Sequence, residues 1–169
     1  IVFRGCKNKL MKLAKTIRFD KSDLNVFDVV SEEGEWAISG VFEYSKDSSS
    51  SLKGKRKQGF SNGFLGLDSY GRSTLVSVST IKKSEKMTLI HNLANYFVKF
   101  YGAPDFNQAY PVAEDEIRFM MDLCQNQKLG TLLAVNRKLE TDGIHESFSN
   151  LPKPDACSNQ KIWTTVENE

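Results

Sequence analysis

KGKRKQGFSNGFLGLDSYGRS, residues 53–73, is the stretch on which the fold turns, because it reads either as a phosphate-binding loop or as a packed structural segment. Lys53, Lys55, Arg56 and Lys57 precede Gly59, Gly63 and Gly66, which are spaced four and then three apart. A Walker loop needs four residues between its glycines and Lys-Ser or Lys-Thr after the second, so that amides and lysine converge on phosphate. The segment fails that test. Phe60, Phe64 and Leu67 repeat the glycine spacing one position on, and on a helix the two sets form adjacent stripes. Interior glycines cost a helix about 1 kcal/mol each against alanine, which only a close backbone approach repays. The expectation is a short helix with Gly59, Gly63, Gly66, Phe60 and Phe64 as its packing face, followed by a turn over 68–71. The basic cluster then stands at a loop and helix start as a solvated patch, the alternative being an anion site on the helix's first amides.

Outward from this stretch, period-two patterns mark strands at KLAKTIRFD (12–20), EWAISGVFEY (35–44) and STLVSVSTI (73–81). Ser84 opens a helix whose Met87, Ile90, Leu93, Ala94, Phe97, Phe100 and Tyr101 recur at three and four, with Gly102 and Pro104 as its stop. Pro111 with Glu114, Asp115 and Glu116 suits the first turn of another helix, and Ile117, Met120, Met121 and Cys124 give it an inner face. Asp142-Gly143 predicts a hairpin between strands near 131–139 and 144–150. Together these predict an α+β, two-layer fold with a largely antiparallel sheet of about five strands and two to three helices on one face.

The 169 residues suit one domain; 40% hydrophobic and 26% charged residues are globular proportions. A net charge of +2 is too small for tracking a nucleic-acid backbone, so nucleic acid is an unfavoured partner. No apolar run reaches the roughly 18 residues of a membrane span. Cys6, Cys124 and Cys157 have neither even number nor C-x-x-C spacing, which argues against a disulfide framework and a zinc site. His91 and His145 stand in no ligand spacing, and no nucleophile, base and orienter can be grouped, so neither a cofactor, a metal nor a catalytic residue is assigned. One bias stands out: Arg4, Lys7, Lys9, Lys12, Lys15 and Arg18 precede the first acid, Asp20.

The blocks MKLAKTIRFDKSDLNVF, GEWAISGVFEYS, GFSNGFLGLDSYGRSTLVSV, YGAP, PVAEDEIRFMMDLC and TLLAVNRKLETDGIHESF, taken in order, resemble a small family of uncharacterised bacterial proteins typical of alphaproteobacteria, a domain of unknown function. The resemblance transfers no catalytic residue. It implies one domain over 11–150, with ten residues ahead of Met11 as the remnant of an organellar presequence and a C-terminal extension over 151–169. The expected function is a non-catalytic accessory subunit of a large mitochondrial assembly. A respiratory-chain complex is preferred, with the subunit on the matrix side and peripheral to the inner membrane through its partners. A mitochondrial ribosomal protein and a soluble matrix maturation factor or enzyme are the alternatives. In the C-terminal extension Ile162, Trp163 and Val166 are the expected partner-binding residues, because an aromatic anchor among polar neighbours gains most by docking.

Overall fold

A computed structural model describes residues 9–151. In chain order they form β1 (Lys12–Ile17), α1 (Asp23–Val26), β2 (Trp36–Ile38), a 3-10 helix (Val41–Tyr44), α2 (Gly54–Asn62), β3 (Phe64–Gly66), β4 (Arg72–Ser73), β5 (Leu75–Thr80), α3 (Lys83–Phe100), α4 (Phe106–Gln125), β6 (Leu132–Glu140) and β7 (Gly143–Leu151). The fold is α+β. The sheet has seven strands in the order β4-β3-β2-β1-β5-β6-β7, every ladder is antiparallel, and it curls into a half-barrel.

Two strands beyond the expected five come from the opening stretch. The helix predicted to run through Gly66 ends at Asn62; Gly63 is its C-cap, and Gly66 lies in β3 opposite Ala37. The three glycines therefore share no helical face. The strand expected over 35–44 is also cut short, because Gly40 turns the chain at φ 70° and a Cβ there would stand 2.4 Å from Cβ of Leu65. Tyr44 and Ile38 are still buried, but Phe42 reaches the core from a 3-10 helix, edge-on to Phe97 at 4.9 Å.

Both long helices form, α3 where the periodicity places it and α4 with an earlier start. Leu89, Ile90, Leu93, Ala94 and Phe97 are the buried face of α3, whereas Met87, Phe100 and Tyr101, expected inside, are exposed. Helix α4 starts earlier than expected: Asp105 is its N-cap and accepts from the Gln108 amide at 2.8 Å. Pro111 thus sits inside the helix, where it removes one amide donor, and Glu114–Glu116 fall beyond the first turn. Ile117, Met120, Met121 and Cys124 are buried. α4 packs on α3 and lies along β1, and its Phe119 reaches Phe148 of β7 with ring centroids 5.8 Å apart.

β6 and β7 form a regular hairpin of nine pairs from Leu132↔Leu151 to Glu140↔Gly143, around Thr141 and Asp142. Half of the N-terminal basic bias belongs to the folded domain. The Lys12 ammonium donates to the Gln127 carbonyl at 2.6 Å, Lys15 lies 4.5 Å from the Trp36 ring, and Arg18 donates to the Ser31 carbonyl at 2.9 Å.

A Cβ at Gly63 would lie 2.8 Å from the Gly59 carbonyl oxygen and 3.0 Å from Cδ of Arg72. Replacing Gly63 by Leu is expected to lower stability by about 3 kcal/mol through overpacking, read as a fall in the urea midpoint. An unchanged midpoint would show that this corner has room to relax.

Candidate functional site

The inward parity of β6 runs Leu133, Val135, Arg137, Leu139, and its third member is a guanidinium with no exposed side-chain surface. Arg137 Nε donates to Glu146 Oε2 at 2.7 Å, across the hairpin pair Arg137↔Glu146. Its Nη1 donates to the carbonyls of Phe60 at 2.9 Å and Gly63 at 2.8 Å, and its Nη2 to the Ser39 carbonyl at 2.6 Å. Arg72 of β4 enters the same region from the other edge of the sheet. Its Nη1 donates to the carbonyls of Gly63 and Ser39, and its Nη2 to the Gly40 carbonyl at 2.9 Å and Glu43 Oε2 at 2.6 Å. Arg72 Nε is buried without a partner among the described residues. Each cation thus has one carboxylate and several carbonyls, the arrangement that makes burial of charge tolerable. Burial pushes the Arg137 guanidinium below its ordinary value, and Glu146 acts against that shift.

In front of Arg72 opens a cleft of about 370 Å³. Its walls include Glu43 and Tyr44 of the 3-10 helix, Lys55 and Arg56 of α2, Tyr70, and Tyr96 of α3. Tyr44 lies between two cations, with the guanidinium carbon of Arg72 4.8 Å and that of Arg56 5.1 Å from its ring. Tyr70 stacks on Tyr96 at 3.7 Å with planes 5° apart, and among the described residues it is the sole non-glycine with positive φ, at 56°. Such a backbone costs about 1 kcal/mol or more and persists where its surroundings impose it. Here the imposing groups are the Tyr96 ring and the turn beneath, where the Glu35 carboxylate accepts from the amides of Asp68 and Ser69 and from the Ser69 hydroxyl. Burial raises the Tyr70 phenol to about 12 and raises Tyr44 and Tyr96 too. The cleft therefore presents neutral phenols and cation-backed rings, which suits binding.

The predicted site residues separate. Gly59 and Phe60 lie in α2, Phe64 in β3, and a Cβ at Gly59 would stand 2.7 Å from the Tyr44 hydroxyl. Gly66 lets the Glu35 carboxylate pass, since a Cβ there would be 2.7 Å from Oε1. Of the basic cluster, Lys53 occupies the N-cap position of α2 without a side-chain capping bond, while Arg56 pairs with Asp47 and, with Lys55, lines the cleft. Ile162, Trp163 and Val166 lie outside the described residues. His91 is on the exposed side of α3 beside Phe106, and His145 pairs with Asp142 at 2.7 Å on the exposed hairpin. Cys124 is fully buried and its thiol is pushed up to about 12 by burial. Ser39 donates to Glu146 at 2.5 Å but is 1% exposed, out of reach of a substrate. Among the described residues no three metal-ligating side chains converge.

Sequence reasoning missed Arg72, Arg137 and Glu35. A signal exists for Arg137: it stands on the apolar parity of its strand, and the Asp142-Gly143 turn sets it opposite Glu146.

Two expectations follow. Arg137→Ala strands Glu146 and several carbonyls and is expected to cost about 3 to 5 kcal/mol, whereas Arg56→Ala, whose guanidinium is half in solvent beside a mostly covered Asp47, costs less, about 1 kcal/mol; chemical denaturation of both variants checks the contrast. Tyr70 holds its proton to about 12 when folded but releases it near the ordinary value, about 10, when unfolded, so stability falls as pH rises between those values. Tyr70→Phe should lessen that fall in an alkaline denaturation series and remove one late tyrosinate step, near pH 12, from the ultraviolet titration.

No curated protein and no solved structure matches this chain. A model of a family of unknown function, DUF6505, matches residues 11–167, starting at Met11 and continuing through the segment after Leu151. This is most of the 169 residues, and the chain belongs to the DUF6505 family.

Proposed function

We propose that this protein is a non-catalytic accessory subunit of a larger protein assembly. The observation that carries the reading is the set of large apolar side chains left in solvent: Phe100 is 62% exposed, Val29 57% and Phe119 44%, with Tyr101 flanking the same Tyr96 ring as Phe100 at the end of α3. Scattered apolar residues are ordinary on a surface, but two exposed aromatic rings together at a helix end suit a protein interface. The use of buried ionic chemistry to hold backbone carbonyls supports the same reading.

In its finer form the proposal places the subunit in a mitochondrial respiratory-chain complex, matrix-side and peripheral, without a membrane span of its own. Among the described residues no helix is long and apolar enough to cross a membrane. The support for the organelle is the resemblance to alphaproteobacterial proteins together with Arg4, Lys7 and Lys9 ahead of the domain.

Native electrophoresis of a mild-detergent mitochondrial extract tests both forms. The expected result is co-migration with respiratory-chain subunits at a mass far above the chain's own 19.1 kDa. Migration as a free monomer overturns the subunit reading; migration within a different assembly overturns only its placement.

A further inference from the structure

Among the described residues β7 is an unpaired edge of the sheet, and of the devices that usually protect an edge it carries one, the inward-pointing Glu146. It is nine residues long, contains neither Pro nor Lys, and keeps an unbroken register with β6. The opposite edge is managed differently: β4 has two residues, and Val30 covers it by bridging to Arg72. Beside the first half of β7 runs a groove of about 380 Å³ between Ile144 and Glu146 on one side and Val41, Phe42 and Ser45 on the other. Beside its second half Phe119 of α4 rests on Phe148 and stays 44% exposed. A strand laid along β7 would fill the groove and cover Phe119.

The charge around this edge has one dominant sign. Asp115 and Asp122 stand four residues before and three after Phe119, hence on the same side of α4. Glu116 adds a carboxylate next to Glu146, and burial together with that neighbour holds its carboxyl above the ordinary range. Arg118 pairs with Glu114 and Asp115, and Arg137 is spent on Glu146, while Glu116 and Asp122 have no ion pair among the described residues. The chain as a whole is +2, so this is a local acidic margin on a mildly basic protein. Two copies joined edge to edge would set the acidic margins of their α4 helices against each other.

We propose that β7 is a strand-addition site for an extended, basic segment of a partner protein, which pairs with its backbone, sets lysine or arginine side chains against Asp115, Glu116 and Asp122, and covers Phe119 with an apolar residue. The inference rests on the subunit reading and names the surface and the partner chemistry.

Two synthetic strands matched to the length of β7, one alternating Lys with Val and one alternating Glu with Val, are titrated against the full chain while amide exchange is followed across 143–151. The expected result is that the Lys strand binds, slows exchange along β7 and weakens as salt rises, whereas the Glu strand does not bind. Asp115→Asn combined with Asp122→Asn should weaken the Lys strand about tenfold with an unchanged melting temperature. Equal binding of both strands, or of neither, overturns the proposal. It is also overturned if β7 amides are already slow in the free chain and speed up once residues after Leu151 are removed, because the chain then covers its own edge. Slowing that appears only as protein concentration rises makes the occupant a second copy and overturns it too. Failure here with the chain still migrating in a large assembly leaves the subunit reading standing.

Discussion

The structure depends on two guanidinium groups taken out of water. Arg137 and Arg72 donate to the carbonyls of Ser39, Gly40, Phe60 and Gly63, and thereby join the end of β2, the last turn of α2 and the β6–β7 hairpin. The last turn of any helix leaves carbonyls without amide partners and carries the negative end of the macrodipole. α2 is unfavourably charged at its start, where Lys53, Lys55, Arg56 and Lys57 face the positive end. Buried cations at its other end offset that, and so nine residues of modest helix propensity hold a helix here.

The glycines follow from the same constraint. Gly59 leaves space for the Tyr44 hydroxyl, Gly63 for the aliphatic stem of Arg72, and Gly66 for the Glu35 carboxylate. Each gives way to a polar side chain threading past the backbone. Gly71 is tighter still, because a Cβ there would stand 2.3 Å from the carbonyl carbon of Val30, the residue that bridges to Arg72. The spacing at four and three thus arises from three separate close approaches on a helix, its cap and a strand, and Tyr70 takes its positive φ in the turn that connects them to Arg72.

This explains what was legible. The hairpin, α3, α4 and the first and fifth strands follow from periodicity, since one apolar face per element decides each of them. Residues 53–73 misled because an i, i+4, i+7 pattern carries no mark of whether one helix face or three unrelated contacts produced it. Gly40 ended β2 through its clash-free approach to Leu65, a tertiary fact with no local signature. The cleft was invisible for a similar reason: Tyr44, Arg72 and Tyr96 come from three separate elements and Tyr70 from the turn before β4, and the fold brings them to one wall. Met87, Phe100 and Tyr101 show the converse limit, where a correct helical period assigns to the core side chains that the fold leaves in solvent.

The clasp also determines what the open side of the half-barrel can do. Arg137↔Glu146 lies near the middle of the hairpin, and Ile144 and Leu139 pack on the small cluster of Tyr44, Leu52 and Phe60, so β7 is fixed along its inner side by an ion pair and apolar contacts. Rigid backbone with unpaired amides on its far side is a preorganised template, because a strand arriving there orders only itself. An edge attached to a loose hairpin would lose that advantage, since both strands would have to order on association. The same buried charges that stabilise α2 therefore hold the β7 edge in place, which links the energetics of the core to the long margin of the sheet that is unpaired among the described residues.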